Sequence, residues 1–343
     1  MTKQFRFPIW MTVMVLVLSL ALTGCWMDKD ESSSQETPST SSSMPESIPE
    51  SSDSSIPESS SMPESIPDSS MPEEMSPSSS SGSDSSEGSD SASSGSSAGE
   101  GSVAAMGADF EEIGALSAES LDWGPGGPVD EKNRSQGALL YNQKYGDYGA
   151  LFIGPEEPVV YLTFDEGYEY GLTPSFLDTL KEKNVKALFF ITYDFANRSG
   201  DLVQRMIDEG HVIGNHSYSH KNYSTLTPME AAEDLTKMHD FVRDKFSYEM
   251  KYFRFPSGNF NEQSLAVVQQ LGYRSVFWSF AYKDWLTDDQ PEPAASLQKV
   301  VGAACPGNIY LLHAVSSTND QILGDVIDQV RAAGYEWGDP NNL

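Results

Sequence analysis

The chain has 343 residues, with 51 acidic against 21 basic side chains, a formal net charge of −30 and two cysteines. The charge is uneven: residues 30–131 hold 22 acids and no base, whereas residues 132–343 hold 28 acids and 18 bases. Neither part has the basic patch that a nucleic-acid partner requires, so that class of function is excluded.

The chain opens with Lys3 and Arg6, followed by an apolar run from Ile9 to Leu22 that is short for a membrane span. The run ends in "LTGC", which resembles the bacterial lipobox. That resemblance implies a lipoprotein signal peptide over 1–24, lipidation of Cys25, and a chain anchored to the membrane outside the cytoplasm. An ordinary signal peptide or an uncleaved anchor is the alternative. With Cys25 lipidated, Cys305 has no disulfide partner. Cys305 precedes an apolar run and reads as a small buried hydrophobe rather than a nucleophile.

Residues 25–105 are rich in Ser, Pro and Glu; "MPESIPE" at 44–50 returns as "MPESIPD" at 62–68. Such a segment cannot bury enough apolar surface to offset its ordering entropy, so it reads as a disordered tether. Residues 106–145 form an expected N-terminal extension packing on the domain, with Trp123 as its one large anchor. Residues 146–343 form the expected catalytic domain.

From there, strand patterns alternate with helix patterns. Strands are predicted at 158–165, 185–192, 211–216, 252–256, 273–280, 308–313 and 335–337. Helices are predicted at 173–184, 199–210, 227–246, 261–272, 294–304 and 319–334. Thr173 is the expected N-cap of the first helix with Pro174 in its first turn, and Gly210 and Gly272 are stop signals. Parallel βα units follow, and some seven of them suggest an α/β, (β/α)7 TIM-like barrel rather than an open sheet. No Gly-rich phosphate loop opens any helix, so nucleotide binding is unsupported.

The chemistry collects where the apolar strands end. "TFDEG" supplies Asp165 and Glu166, "NHSYSH" supplies His216 and His220, "RFPSG" supplies Arg254, "YKDW" supplies Asp284, and "LLH" supplies His313. In a βα barrel these ends share one rim, where active sites are built. His216 and His220 are four apart, a spacing that suits one divalent metal, with Glu166 the nearest third ligand in kind.

These motifs, in this order and spacing, resemble the polysaccharide deacetylase family (NodB homology, carbohydrate esterase family 4). Within it, "VVYLTFDEGYEYGLTP", "DEGHVIGNHSYSH" and "GNIYLLHAVS" are similar to the delta-lactam-biosynthetic deacetylases, which act on N-acetylmuramic acid in peptidoglycan. The resemblance spans about Trp123 to Trp337 and implies a distorted barrel, the NodB fold. It implies a divalent metal, zinc in the first instance, on His216, His220 and Glu166. It makes Asp165 the general base held charged by Arg254, and His313 the acid oriented by Asp284. The Ser257 backbone N–H becomes an oxyanion donor, and Trp285, Leu311, Tyr168 and Glu169 line the substrate site.

Two positions depart from the family pattern. Glu166 stands where a metal-binding Asp is usual, so it either ligates or turns toward sugar. Ser257 stands where an aromatic is frequent. The implied substrate is the peptidoglycan glycan strand, the implied state a monomer, and a role in the spore cortex follows from the resemblance alone. The alternatives are an N-acetylglucosamine deacetylase on peptidoglycan or another surface polysaccharide, or a catalytically silent glycan-binding lipoprotein.

Overall fold

The computed structural model describes residues 109–343. The expected signal peptide, lipidated Cys25 and tether fall outside the described residues.

The strands that carry the fold are short, apolar and rich in β-branched and aromatic residues, as expected where both faces of a sheet are covered. Every predicted strand is present: β2 Val159–Glu166, β3 Leu188–Ile191, β4 Val212–Asn215, β5 Tyr252–Phe253, β7 Arg274–Ser275, β8 Asn308–Leu312 and β9 Glu336–Trp337. Two further short strands, β1 Leu121–Asp122 and β6 Asn259–Phe260, pair antiparallel with each other. The main sheet is parallel in the order β7-β5-β4-β3-β2-β8, with β9 beside the start of β2. It curls until Phe280, just past β7, bridges Tyr310 of β8. This is the distorted (β/α)7 barrel that the alternation predicts.

The predicted helices are also present: α3 Thr173–Glu182, α5 Gly200–Asp208, α6 Pro228–Phe246, α7 Glu262–Gln270, α8 Pro293–Gly302 and α9 Ser317–Ala332. Among the described residues the prediction missed α1 Phe110–Gly114, α2 Gln136–Tyr145 and α4 Tyr193–Arg198, which are short or weakly amphipathic. One cap differs from expectation. Leu172, not Thr173, occupies the N-cap of α3 and makes no side-chain cap. The free N–H groups of Gly171 and Thr173 instead donate to the Glu169 carboxylate, and the Thr173 hydroxyl is bonded to it as well.

Side-chain alternation along β2 and β3 builds two apolar layers. Tyr161, Leu188 and Phe190 face the barrel interior with Leu151, Val276 and Ile309. Val160, Leu162, Phe164, Phe189 and Ile191 face the helices, where the Phe164 ring meets Phe176 of α3 at 5.4 Å. The segment before the barrel packs through Trp123, which is buried, donates from its indole N–H to the Trp278 carbonyl at 3.0 Å, and lies edge-on to Phe152 at 4.7 Å. Gly258 is needed there. Its φ is +73°, and a Cβ would lie 2.9 Å from the Trp123 carbonyl oxygen. Cys305 is buried and burial pushes its thiol up to about 12, in keeping with a packing role.

Candidate active site

The rim at the C-terminal strand ends gathers most of the expected residues, and Arg254 organises them. This guanidinium is fully buried after β5, stacked 4.1 Å over the Phe190 ring. It donates to the Val276 carbonyl at 2.9 Å, the Phe277 carbonyl at 2.9 Å, the Thr163 hydroxyl at 2.8 Å and Asp165 Oδ1 at 2.8 Å. Thr163 and Asp165 stand two apart on β2 and therefore share its inner face. Burial works to raise the Asp165 carboxyl, but Arg254, His216 and His313 together hold it below its ordinary value, so it is ionised.

Arg254 also sets the nearer histidine. The His216 ring nitrogen Nδ1 donates to the Arg254 carbonyl at 3.0 Å, which leaves Nε2 as the lone-pair nitrogen, 3.5 Å from Asp165 Oδ2. Burial lowers the His216 imidazole to about 4, so it is neutral near pH 7. His220 follows with its ring 5.0 Å from that of His216. Two neutral imidazoles side by side, one with its donor nitrogen already engaged, are a pair of nitrogen donors of the kind a divalent cation takes.

Across the rim, the Asp284 carboxylate is buried and receives the His313 backbone N–H at 3.0 Å, His313 Nδ1 at 2.7 Å and the Asn319 side-chain amide at 2.6 Å. Burial acts to lower the His313 pKa, yet Asp284 outweighs it and the pKa stands above its ordinary value. The Trp285 ring is edge-on to His313 at 5.8 Å, and Leu311 is buried one strand position from Leu312. Ser257 sits in the turn Pro256–Gly258 with φ 54°, half-buried at the rim. Tyr168, two residues past the end of β2, is 40% exposed. Glu169, expected at the substrate, spends its carboxylate on the start of α3.

Glu166 does not join the histidines. It shares the outer face of β2 with Leu162 and Phe164, fully buried, and neither carboxylate oxygen has a hydrogen-bond partner. Among the described residues no three His, Cys, Asp or Glu side chains are arranged to hold a metal. The expected His216, His220 and Glu166 trio is therefore not assembled. The one extra methylene of Glu is not the reason; the strand's alternation turns the side chain toward the helices.

Burial, with Glu169 and Asp165 nearby, raises the Glu166 carboxyl well above its ordinary 4.5. The unfolded chain releases this proton near 4.5, the folded chain only at higher pH. Above that value the unfolded state holds fewer protons, so stability falls as pH rises. Glu166→Gln should remove this fall, and Glu166→Met should add about 1–3 kcal/mol by replacing an unsatisfied buried group. Denaturant midpoints from about pH 5 to 8 test it; superimposable wild-type and Gln curves would refute it.

A βα barrel with an ionised carboxylate and a charge-supported imidazole on one rim carries the two kinds of group that acid–base hydrolysis uses. The family model for polysaccharide deacetylase matches residues 153–276. The chain is 36% identical over 231 residues to peptidoglycan-N-acetylmuramic acid deacetylase PdaA of Bacillus subtilis, covering 67% of this chain and 88% of that protein. It is 33% identical over 184 residues to a peptidoglycan-N-acetylglucosamine deacetylase of Bacillus cereus, covering 53% of this chain and 66% of the relative. The solved structure of Bacillus subtilis PdaA, a family 4 carbohydrate esterase, superimposes with a TM-score of 0.63 at 35% identity, covering 66% of this chain and 98% of that one. The chain belongs to the polysaccharide deacetylase family, carbohydrate esterase family 4, and is a polysaccharide N-deacetylase.

Proposed function

We propose that this enzyme hydrolyses the N-acetyl group of N-acetylmuramic acid in peptidoglycan, a step toward muramic delta-lactam. The observation that carries the reading is the pairing across one rim of ionised Asp165, held by Arg254, with His313, held by Asp284. The PdaA relative, aligned over most of its length, supports the choice of sugar.

A divalent metal, zinc for these nitrogen donors, would be held by His216 and His220, with water and substrate filling its other positions. When bound, it polarises the acetamide carbonyl and lowers the pKa of water. Asp165 takes the proton from the attacking water. The Ser257 N–H supports the oxyanion. His313 passes a proton from Nε2 to the departing amine, because Asp284 occupies Nδ1. The products are acetate and a free amino sugar, from one amide and one water. A lipidated Cys25 and the tether over 25–105 would let the domain reach the wall from the membrane.

The second reading keeps the chemistry and changes the sugar to N-acetylglucosamine, favoured by the Bacillus cereus relative. Mass spectrometry of muropeptides treated with the protein separates the two, using glycan with and without stem peptides. Loss of acetyl from glucosamine residues alone sinks the first reading. His216→Ala should abolish both stoichiometric zinc and acetate release; unchanged release sinks the metal reading.

A further inference from the structure

The turn that carries both histidines has an unfavourable backbone. Ser217 has φ 75° and His220 φ 52°, left-handed values at residues with side chains. A turn of this kind persists only where its surroundings hold it. Asn215 Oδ1 receives the Ser217 N–H at 2.8 Å, and the Ser217 hydroxyl receives the His220 N–H at 2.8 Å. Further restraint comes from one helical turn of α6. Asp234 Oδ2 accepts the Tyr218 N–H at 2.9 Å and the Tyr223 hydroxyl at 3.0 Å, and Asp234 Oδ1 is bonded to the Ser219 hydroxyl. The neighbouring Leu235 carbonyl accepts the Asn215 amide at 3.0 Å. Lys237 lies 4.0 Å over the Tyr218 ring, whose other neighbour is Tyr193, stacked at 4.1 Å.

We infer that Asp234 is a positioning residue for the histidine pair: its carboxylate holds the Tyr218–Ser219 link and so fixes where His220 stands relative to His216. Asp234 itself touches no reacting atom. A carboxylate suits this link, since the Tyr218 N–H can only donate and both hydroxyls turn their protons to it. α6 is a rigid platform for it. Thr227 and Glu230 form a capping box at its start, and Leu235 and Met238 lie in the core.

The inference rests on the metal reading of His216 and His220 given above, and its test has a metal-free arm for that reason. In the full chain, Asp234→Asn replaces one of the two acceptor oxygens by an amide donor and removes the charge, and Asp234→Ala deletes both acceptors. Both should weaken zinc affinity by about 10- to 100-fold, measured by competition with a chromogenic chelator. In the metal-free protein, both should change the rate of diethyl pyrocarbonate modification at His220 severalfold, read by peptide mass spectrometry against His211 and His239 as internal references. Asp234→Glu, which keeps the acceptor, should restore part of both. Wild-type values of zinc affinity and His220 reactivity in the Asn and Ala variants overturn the proposal, even if their thermal midpoints fall, since that pattern belongs to a purely structural residue. A wild type that binds no zinc sinks the metal reading and leaves His220 reactivity to decide this one.

Discussion

Asp165→Asn should lower acetate release by about 10²- to 10⁴-fold, the usual worth of a positioned general base. Asn keeps an oxygen for the Arg254 N–H that now meets Asp165 Oδ1 at 2.8 Å, so the local geometry has a substitute acceptor. It has no second basic oxygen at the place of Oδ2, the atom that faces His216 Nε2 at 3.5 Å. The loss should appear in kcat and in kcat/KM together, because it removes an interaction made in the transition state. A variant within about tenfold of wild type would remove Asp165 from the role of base. The folded fraction needs a parallel measurement, since Asn leaves the buried guanidinium without a full counter-charge.

Arg254→Met should cost about 3–5 kcal/mol of stability, the typical price of breaking a buried ion pair from one side. The guanidinium is fully buried, and its removal leaves Asp165, the Thr163 hydroxyl and the carbonyls of Val276 and Phe277 without their donor. Arg254→Lys should rescue little, because one ammonium cannot present a planar fork to partners at the ends of two strands, β2 and β7. The linkage has a sign. Asp165 sits below its ordinary carboxyl value, so its contribution is present at neutral pH and is lost as pH falls through the depressed folded value. The Met variant should lose that acid dependence. Denaturant midpoints with an unchanged slope give the cost; a loss under about 1 kcal/mol would mean the pair is worth no more than a surface salt bridge.

Much of the fold was legible because a parallel barrel strand, covered on both faces, must be a short apolar run. β2, β3 and β8 announce themselves in this way, and Pro228, Gly210 and Gly272 mark helix limits. β1, β6 and α4 were not legible: segments of two to six residues carry too little periodicity, and their form is imposed by what they touch. The cap of α3 was misplaced for a related reason. Thr173 is a good cap by type, but the carboxylate of Glu169, folded back from the preceding loop, reached the free N–H groups first.

The site divides along the same line. Sequence alone determined which side chains stand at strand ends, since an ionisable residue after an apolar run has few other places to go. It also determined the four-residue spacing of His216 and His220, and the adjacency of Asp165 and Glu166. Alternation along a strand already required those two acids to point apart. Only the tertiary structure decided which of them faces the barrel: the sheet curls with Thr163 and Asp165 inward, against Arg254, and leaves Glu166 among the apolar side chains under the helices. That choice depends on the register of β2 against β3 and β8 and on what fills the interior, which are properties of strands distant in the chain. Asp234 was invisible for the same physical reason, as it lies fourteen residues beyond His220 and meets the histidine turn only because α6 packs back across β4.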